Sequence, residues 1–110
     1  MTSLSDGAVT ILLIGTADTK ADELAFPRAE IEQLGHRALV MDVGVLGVPA
    51  ITPDIDNHRV AAAAGTTLAE VAALGGENQA MQRMAAGAAA VAADLCAADR
   101  IHGVLAIGGT

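Results

Sequence analysis

The sequence predicts an α/β fold, a three-layer Rossmann-like open parallel sheet with three strands and flanking helices. Three short aliphatic runs lead into glycines, and segments with helical spacing separate them. The first run, residues 8–14, is continuously apolar, which is typical of a central parallel strand covered by helices on both faces. Gly15 and a small polar loop follow it, which indicates a tight turn into a helix.

Composition narrows the class of protein. The chain has 110 residues, room for one small domain, and its core must be aliphatic because Phe26 is its one aromatic residue. A net charge of −7 with six Lys and Arg argues against a nucleic-acid partner. The lone Cys96 and a start without basic residues predict a cytoplasmic protein without an internal disulfide. The apolar run 85–93 is shorter than the roughly 20 residues that cross a bilayer, so no membrane partner is expected.

The first half predicts a strand–helix–strand unit with a right-handed crossover. Helical spacing runs from residue 20 to residue 34, and Gly35 is a natural end. Pro27 in the interior predicts a kink or the start of a second helix, and we expect the kink. The second strand, residues 38–44, places Asp42 near its carboxyl end, beside the first loop.

The second half predicts a long loop, three helical segments and a third strand. The loop covers residues 45–58, and a helical turn follows at 59–64. Thr67 and Glu70 have the spacing of a capping box. The longest helix, 77–99, carries an apolar stripe that includes Cys96, which we expect in the core. The third strand, 103–107, leads into a glycine turn, which normally precedes another helix, so we expect the N-terminal part of a larger domain, truncated after strand three.

The loop after the first strand has the parts of a phosphate-binding turn. Gly15 permits the turn, Thr16 and Thr19 supply hydroxyls, and Lys20 stands at the entrance of the helix. The spacing fits neither the Walker A motif nor the dinucleotide fingerprint. The alternative is an ordinary turn in which Asp18 or Thr19 caps the helix.

A second glycine turn and an acid belong to the same predicted edge. Gly108, Gly109 and Thr110 follow the third strand, so a polyphosphate can span the two turns, although a turn without a ligand is the alternative. Asp42 is placed like the acid that binds a ribose hydroxyl in dinucleotide folds; it can equally cap the next turn or hold a metal.

Other candidate chemistry is weaker. Asp54, Asp56 and His58 lie close together in the long loop, but solvated loop acids are the better interpretation than a metal site. The sequence identifies no nucleophile and no group that positions water, so it leaves open whether a bound nucleotide is hydrolysed.

Several stretches together resemble the uncharacterised ATP-binding family typified by the tomato mosaic virus resistance protein: residues 14–20 with 23–24, 40–44, 54–55 with 60–61, and 107–110. The resemblance covers nearly the whole chain, and Gly-Thr-x-Asp-Thr-Lys is its most specific element. It departs at Pro27, where a large apolar residue is expected. It also breaks off inside the second loop, so the remaining ATP contacts are absent from this chain.

The resemblance implies a longer protein of two subdomains that binds ATP, with or without Mg²⁺. The implied binding residues are Gly15, Thr16, Asp18, Thr19, Lys20, Asp42, Gly44, Gly108, Gly109 and Thr110. The implied partners are the missing C-terminal part, a second copy in a homo-oligomer, or a TIM-barrel protein. The alternative function is a structural or regulatory interaction module that assembles with itself or a TIM-barrel partner without nucleotide chemistry.

Overall fold

The computed structural model describes residues 8–17, 20–45, 47 and 49–107. In chain order the elements are β1 (Thr10–Gly15), α1 (Ala21–Gln33), β2 (Arg37–Asp42), α2 (Asn57–Ala63), α3 (Leu68–Ala72), α4 (Glu77–Ala97) and β3 (Gly103–Ala106). The strands pair in parallel in the order β2-β1-β3. The predicted α/β class and the central position of the first strand are confirmed.

Two apolar layers lie on opposite faces of the sheet. Leu12 packs with α2, α3 and α4, whereas its neighbour Leu13 packs with Leu24 of α1, and all three side chains are fully buried. Successive strand residues point to opposite faces, so one apolar run serves both layers. Because β2 and β3 flank β1 on opposite sides and their crossover helices cover opposite faces, both crossovers have the same hand.

The first helix packs on the sheet less extensively than its spacing predicts. It continues through Pro27, and no second helix begins there. Leu24 is its one buried residue, whereas Leu34 is 74% exposed. Leu24 fits directly against Gly15, where an added Cβ would lie 3.0 Å from a Leu24 methyl carbon. Gly15 therefore lets α1 approach the carboxyl end of β1 closely.

Side-chain caps set the starts of α2 and α3. The Asp56 carboxylate accepts a hydrogen bond from the Arg59 N–H at 2.9 Å, so α2 begins at Asn57, two residues before the predicted start. The predicted capping box is confirmed: the Glu70 N–H donates to the Thr67 hydroxyl, and the Glu70 carboxylate accepts from the Thr67 N–H. The sequence analysis missed the Asp56 cap because it placed that acid inside a loop.

The long helix α4 buries a narrow stripe. Its buried residues are Met84, Gly87, Ala88, Val91 and Leu95. Cys96 is exposed, so its predicted core position is wrong. It follows Leu95 directly, and one residue rotates the side chain by about 100° around a helix, out of the stripe. Among the described residues, no helix has the length and apolar character needed to cross a membrane.

Gly87→Ala is expected to destabilise the fold by about 1–3 kcal/mol, although alanine is intrinsically the better helix former. A Cβ at this position would overlap the Val60 carbonyl group of α2, which is backbone and cannot rotate away. Urea denaturation followed by circular dichroism measures the change. Ala93→Leu, on the exposed side of the same helix, is the control and should change stability by less than about 0.5 kcal/mol. Equal stability of Gly87→Ala and the parent chain would contradict this packing.

Candidate functional site

A cavity of about 970 Å³ lies at the carboxyl end of the sheet. Polar lining comes from the end of β1 and its loop, at Gly15, Thr16 and Lys20, and from Gly44 after β2. The opposite wall is mostly apolar and comes from α4 and β3, and the acidic Glu77 at the start of α4 also lines the cavity. In open α/β sheets, ligands bind in the crevice outside the carboxyl ends of the strands. The cavity therefore occupies the position where this fold class binds ligands.

The loop after β1 is held by backbone hydrogen bonds on both sides. The Lys20 N–H donates to the Thr16 carbonyl oxygen at 2.7 Å, which closes the turn. The Ala50 N–H donates to the Ala17 carbonyl oxygen at 3.0 Å, which ties the loop to the chain after β2. Lys20 is the N-cap residue of α1, and its side chain makes no capping hydrogen bond. Backbone hydrogen bonds thus hold Thr16 and Ala17 at the end of β1 and Lys20 at the start of α1.

Asp42 fixes two loops with one carboxylate oxygen. Its Oδ1 accepts hydrogen bonds from the Ala17 N–H at 3.0 Å and from the Gly44 N–H at 2.9 Å. The residue is 2% exposed, and it is absent from the cavity lining. Hydrogen bonds to an ionised acceptor are stronger than neutral ones. Of the three roles that the sequence left open, the geometry shows the turn cap.

Lys20 provides a positive charge at the mouth of the cavity. Its side chain is 28% exposed, and its Nζ lies 3.7 Å from the carboxylate of Glu23, which is 52% exposed. Exposed ion pairs of this kind contribute about 0–1 kcal/mol. An anionic ligand can therefore replace Glu23 as the partner of Lys20 at little cost.

The structure brings half of the predicted binding residues together. Gly15, Thr16, Lys20 and Gly44 line one cavity, and Asp42 supports it from beneath. The other five lie outside the described residues: Asp18, Thr19, Gly108, Gly109 and Thr110. The predicted second glycine turn therefore stays a prediction.

The loop acids have structural partners. The Asp54 carboxylate accepts a hydrogen bond from the Val40 N–H at 2.8 Å, and Asp56 caps α2. Within the part of the chain that the structure describes, no three His, Cys, Asp or Glu side chains are grouped to hold a metal ion. Edge pairing and helix capping account for these two acids.

The apolar wall was missed by the sequence analysis. Met81, Ala85 and Ala89 of α4 line the cavity, together with Val104 and Ala106 of β3. Met81 is 61% exposed at the cavity. In a sequence, an alanine that faces the core cannot be distinguished from an alanine that lines a cavity.

Comparison with known proteins then identifies the family. The model of the N-terminal domain of the uncharacterised protein family UPF0261 matches residues 9–110. The chain belongs to this family. The predicted membership of the family typified by the tomato mosaic virus resistance protein is therefore wrong. Turns of glycine and threonine after a parallel strand occur in many α/β domains, so such a turn does not distinguish one family from another.

Curated relatives agree with the family model. A UPF0261 protein of Brucella suis is 43% identical over 100 residues, which is 91% of this chain and 24% of the relative. A Brucella melitensis protein is 42% identical over the same shares, and one from Clostridium tetani is 34% identical over 91% of this chain and 25% of the relative. The chain thus spans about a quarter of the length of these relatives. No solved structure matches the chain.

Asp42→Ala is expected to lower the free energy of unfolding by about 2–4 kcal/mol, because two buried N–H groups, those of Ala17 and Gly44, lose their acceptor. Asp42→Asn keeps a carbonyl oxygen at the same position and should cost less than half as much. Denaturant unfolding of the three proteins measures both values. Equal losses in the two variants would show that the hydrogen bonds do not carry the effect.

Proposed function

We propose that this domain binds a nucleoside triphosphate, ATP with Mg²⁺, in the cavity at the carboxyl end of the sheet. The observation that supports the proposal is the joining of two unlike surfaces in one cavity. Gly15, Thr16 and Lys20 at the start of α1 line one side, and a mostly apolar wall from α4 and β3 lines the other. The volume of about 970 Å³ is at the upper end of the range for ligand sites in proteins. The proposal also places the protein in the cytoplasm, where ATP is supplied.

The phosphates are assigned to the β1 loop and the start of α1. The N-terminal N–H groups of a helix and its dipole favour an anion, and the Lys20 ammonium adds a full charge. Asp22 and Glu23 in the first turn oppose a bare triphosphate. Mg²⁺ bound to the phosphates reduces this repulsion, and the Thr16 hydroxyl is the oxygen that we assign to it from the loop. The proposal concerns nucleotide binding alone.

The nucleoside is assigned to the apolar wall. Met84 and Ala88 belong to the buried stripe of α4 and also line the cavity, whereas Ala85 lines it from an exposed position. The small side chains of Ala85 and Ala88 leave room for a flat ring against the helix. Ligand sites of this size are mostly apolar with a few polar groups that fix orientation, as here.

An interaction module without nucleotide chemistry is the second candidate, with a second copy or a TIM-barrel protein as its partner. It is favoured by β3, in which Val104 is 53% and Leu105 is 45% exposed. Exposed apolar side chains on an edge strand are a common basis for assembly. Titration with nucleotide separates the two candidates.

Lys20→Ala is expected to weaken binding of Mg²⁺-ATP at least about tenfold, because a charge-assisted contact to phosphate is lost. Isothermal titration measures it in a hybrid protein, the full-length Brucella suis relative in which this chain replaces the matched 100 residues. Arg28→Ala is a matched control, since Arg28 also lies on α1 and also pairs with an acid, Glu32, at 3.7 Å. Unchanged affinity in Lys20→Ala, or equal loss in both variants, would reject the phosphate assignment.

Ala85→Leu is expected to weaken ATP binding about tenfold while leaving inorganic triphosphate binding unchanged, because the larger side chain fills only the apolar side of the cavity. The same titration in the hybrid protein measures both ligands. Ala93→Leu adds the same volume on the exposed side of α4 and should leave both affinities unchanged. Equal loss for the two ligands would place the nucleoside elsewhere.

A further inference from the structure

The two outer edges of the sheet differ. The chain after β2 covers the edge of β2, where Ile55 forms a parallel bridge with Met41. The N–H groups of Asp54 and Ile55 donate to the Val40 carbonyl oxygen at 2.9 and 3.0 Å, and the Asp42 N–H donates to the Ile55 carbonyl oxygen. Among the described residues, no segment pairs with the outer edge of β3. Within the described part of the chain, the β2 edge is therefore closed and the β3 edge is open.

The open strand has the composition of an interior strand. Val104 is in register with Leu12, and Leu105 is in register with Leu13. Both leucines are fully buried, whereas Val104 is 53% and Leu105 is 45% exposed. Parallel strands are normally covered on both faces, which is why they are continuously apolar. The side chains of β3 therefore suit a position that further structure covers.

The apolar surface continues from β3 onto α4. Val104 and Ala106 line the large cavity together with Met81, which is 61% exposed on the adjoining helix. We call Met81, Val104, Leu105 and Ala106 the β3 flank. A second cavity, of about 480 Å³ near Leu74 and Gln79, shares none of these residues. Met81, Val104 and Ala106 thus form one apolar surface on the α4 face of the sheet, whereas Leu105, in register with Leu13, lies on the opposite face of the same strand.

We infer that the β3 flank is covered by a further strand and helix from the same polypeptide in full-length UPF0261 proteins. The matched region is only 24% of the Brucella suis relative, so most of that protein lies outside it. A fourth strand would pair in parallel with β3, and its crossover helix would lie beside α4 over Val104. Met81, Val104 and Ala106 also line the cavity proposed for the nucleoside, but the inference rests on the open strand edge and the length of the relatives and does not require nucleotide binding.

The hand of the crossovers selects the face for the added helix. Right-handed crossovers place α1 on one face as the chain moves from β1 to β2, and α4 on the other as it moves back to β3. One more right-handed step outward from β3 keeps the direction of the second crossover. Its helix therefore falls on the α4 face, over Val104 and next to Met81.

A second copy of the chain is the competing occupant. Two copies would pair their β3 strands edge to edge around a two-fold axis. Each copy carries a net charge of −7, so self-association works against mutual repulsion. A strand and helix from the same polypeptide also avoid the cost of bringing two molecules together. The charge and the length of the relatives both favour the intramolecular occupant.

Photo-cross-linking in the hybrid protein tests the inference. A benzophenone amino acid is placed at Val104 or, in a second variant, at Met81, and peptide mass spectrometry identifies its target. The control position is Glu32 on α1, with a side chain that is 53% exposed on the opposite face of the sheet. We expect cross-links from Val104 and Met81 to one segment outside the matched region, within a single polypeptide, and none to that segment from Glu32. Cross-linked dimers, or no cross-link from either flank position, would overturn the inference.

Hydrogen exchange gives a second measurement that needs no substitution. In the isolated 110-residue chain, amides of β3 should exchange at least about tenfold faster than those of β1. In the full-length Brucella suis relative, the segments aligned with β1 and β3 should be protected alike. Fast exchange of the β3 segment in the full-length protein would show that its edge stays open, against the inference.

Discussion

The carboxylate of Asp42 is the constraint on which the carboxyl end of the sheet depends. A strand-to-helix turn leaves N–H groups without partners, and burying them unpaired costs about 1–3 kcal/mol each. One oxygen of Asp42 satisfies the Ala17 N–H after β1 and the Gly44 N–H after β2. The two loops therefore take their positions relative to each other from a single buried side chain.

The aliphatic composition shapes both the core and the cavity. The core is built from Leu, Val, Ile, Met and Ala, because the chain has one aromatic residue and that residue, Phe26, is 71% exposed. Small side chains allow close approach, as at Gly87, where α4 lies against the backbone of Val60. Where α4 passes beyond the contacts of α2, the same small side chains leave space. The apolar wall of the cavity is thus the continuation of a core-packing surface past the elements that fill it.

The sequence predicted well those features that are set by nearby residues. The apolar run of β1 and the spacing of Thr67 and Glu70 are local signals, and the structure confirms the central strand and the capping box. The predicted start of α2 and the predicted burial of Cys96 were wrong. Each depends on a shift of one or two residues along the chain, which the spacing of apolar residues does not resolve. The sequence located the polar half of the proposed site through Gly15, Thr16 and Lys20. It did not locate the apolar wall, since the alanines of α4 look alike in a sequence whether they face a core, a ligand or solvent.

The cavity and the β3 flank share Met81, Val104 and Ala106, so the proposed nucleotide site and the proposed cover of β3 would meet at these residues. A helix placed beside α4 over Val104 would stand across the apolar wall from the loop that bears Lys20. A nucleoside held between two helices loses more contact with water than one that lies against α4 alone, and each buried apolar Å² contributes roughly 25 cal/mol. The proposed phosphate position would gain nothing from this cover, because the groups assigned to it belong to the β1 loop and the start of α1. The isolated domain should thus retain most of its affinity for inorganic triphosphate, and affinity for the nucleoside should depend on the rest of the polypeptide.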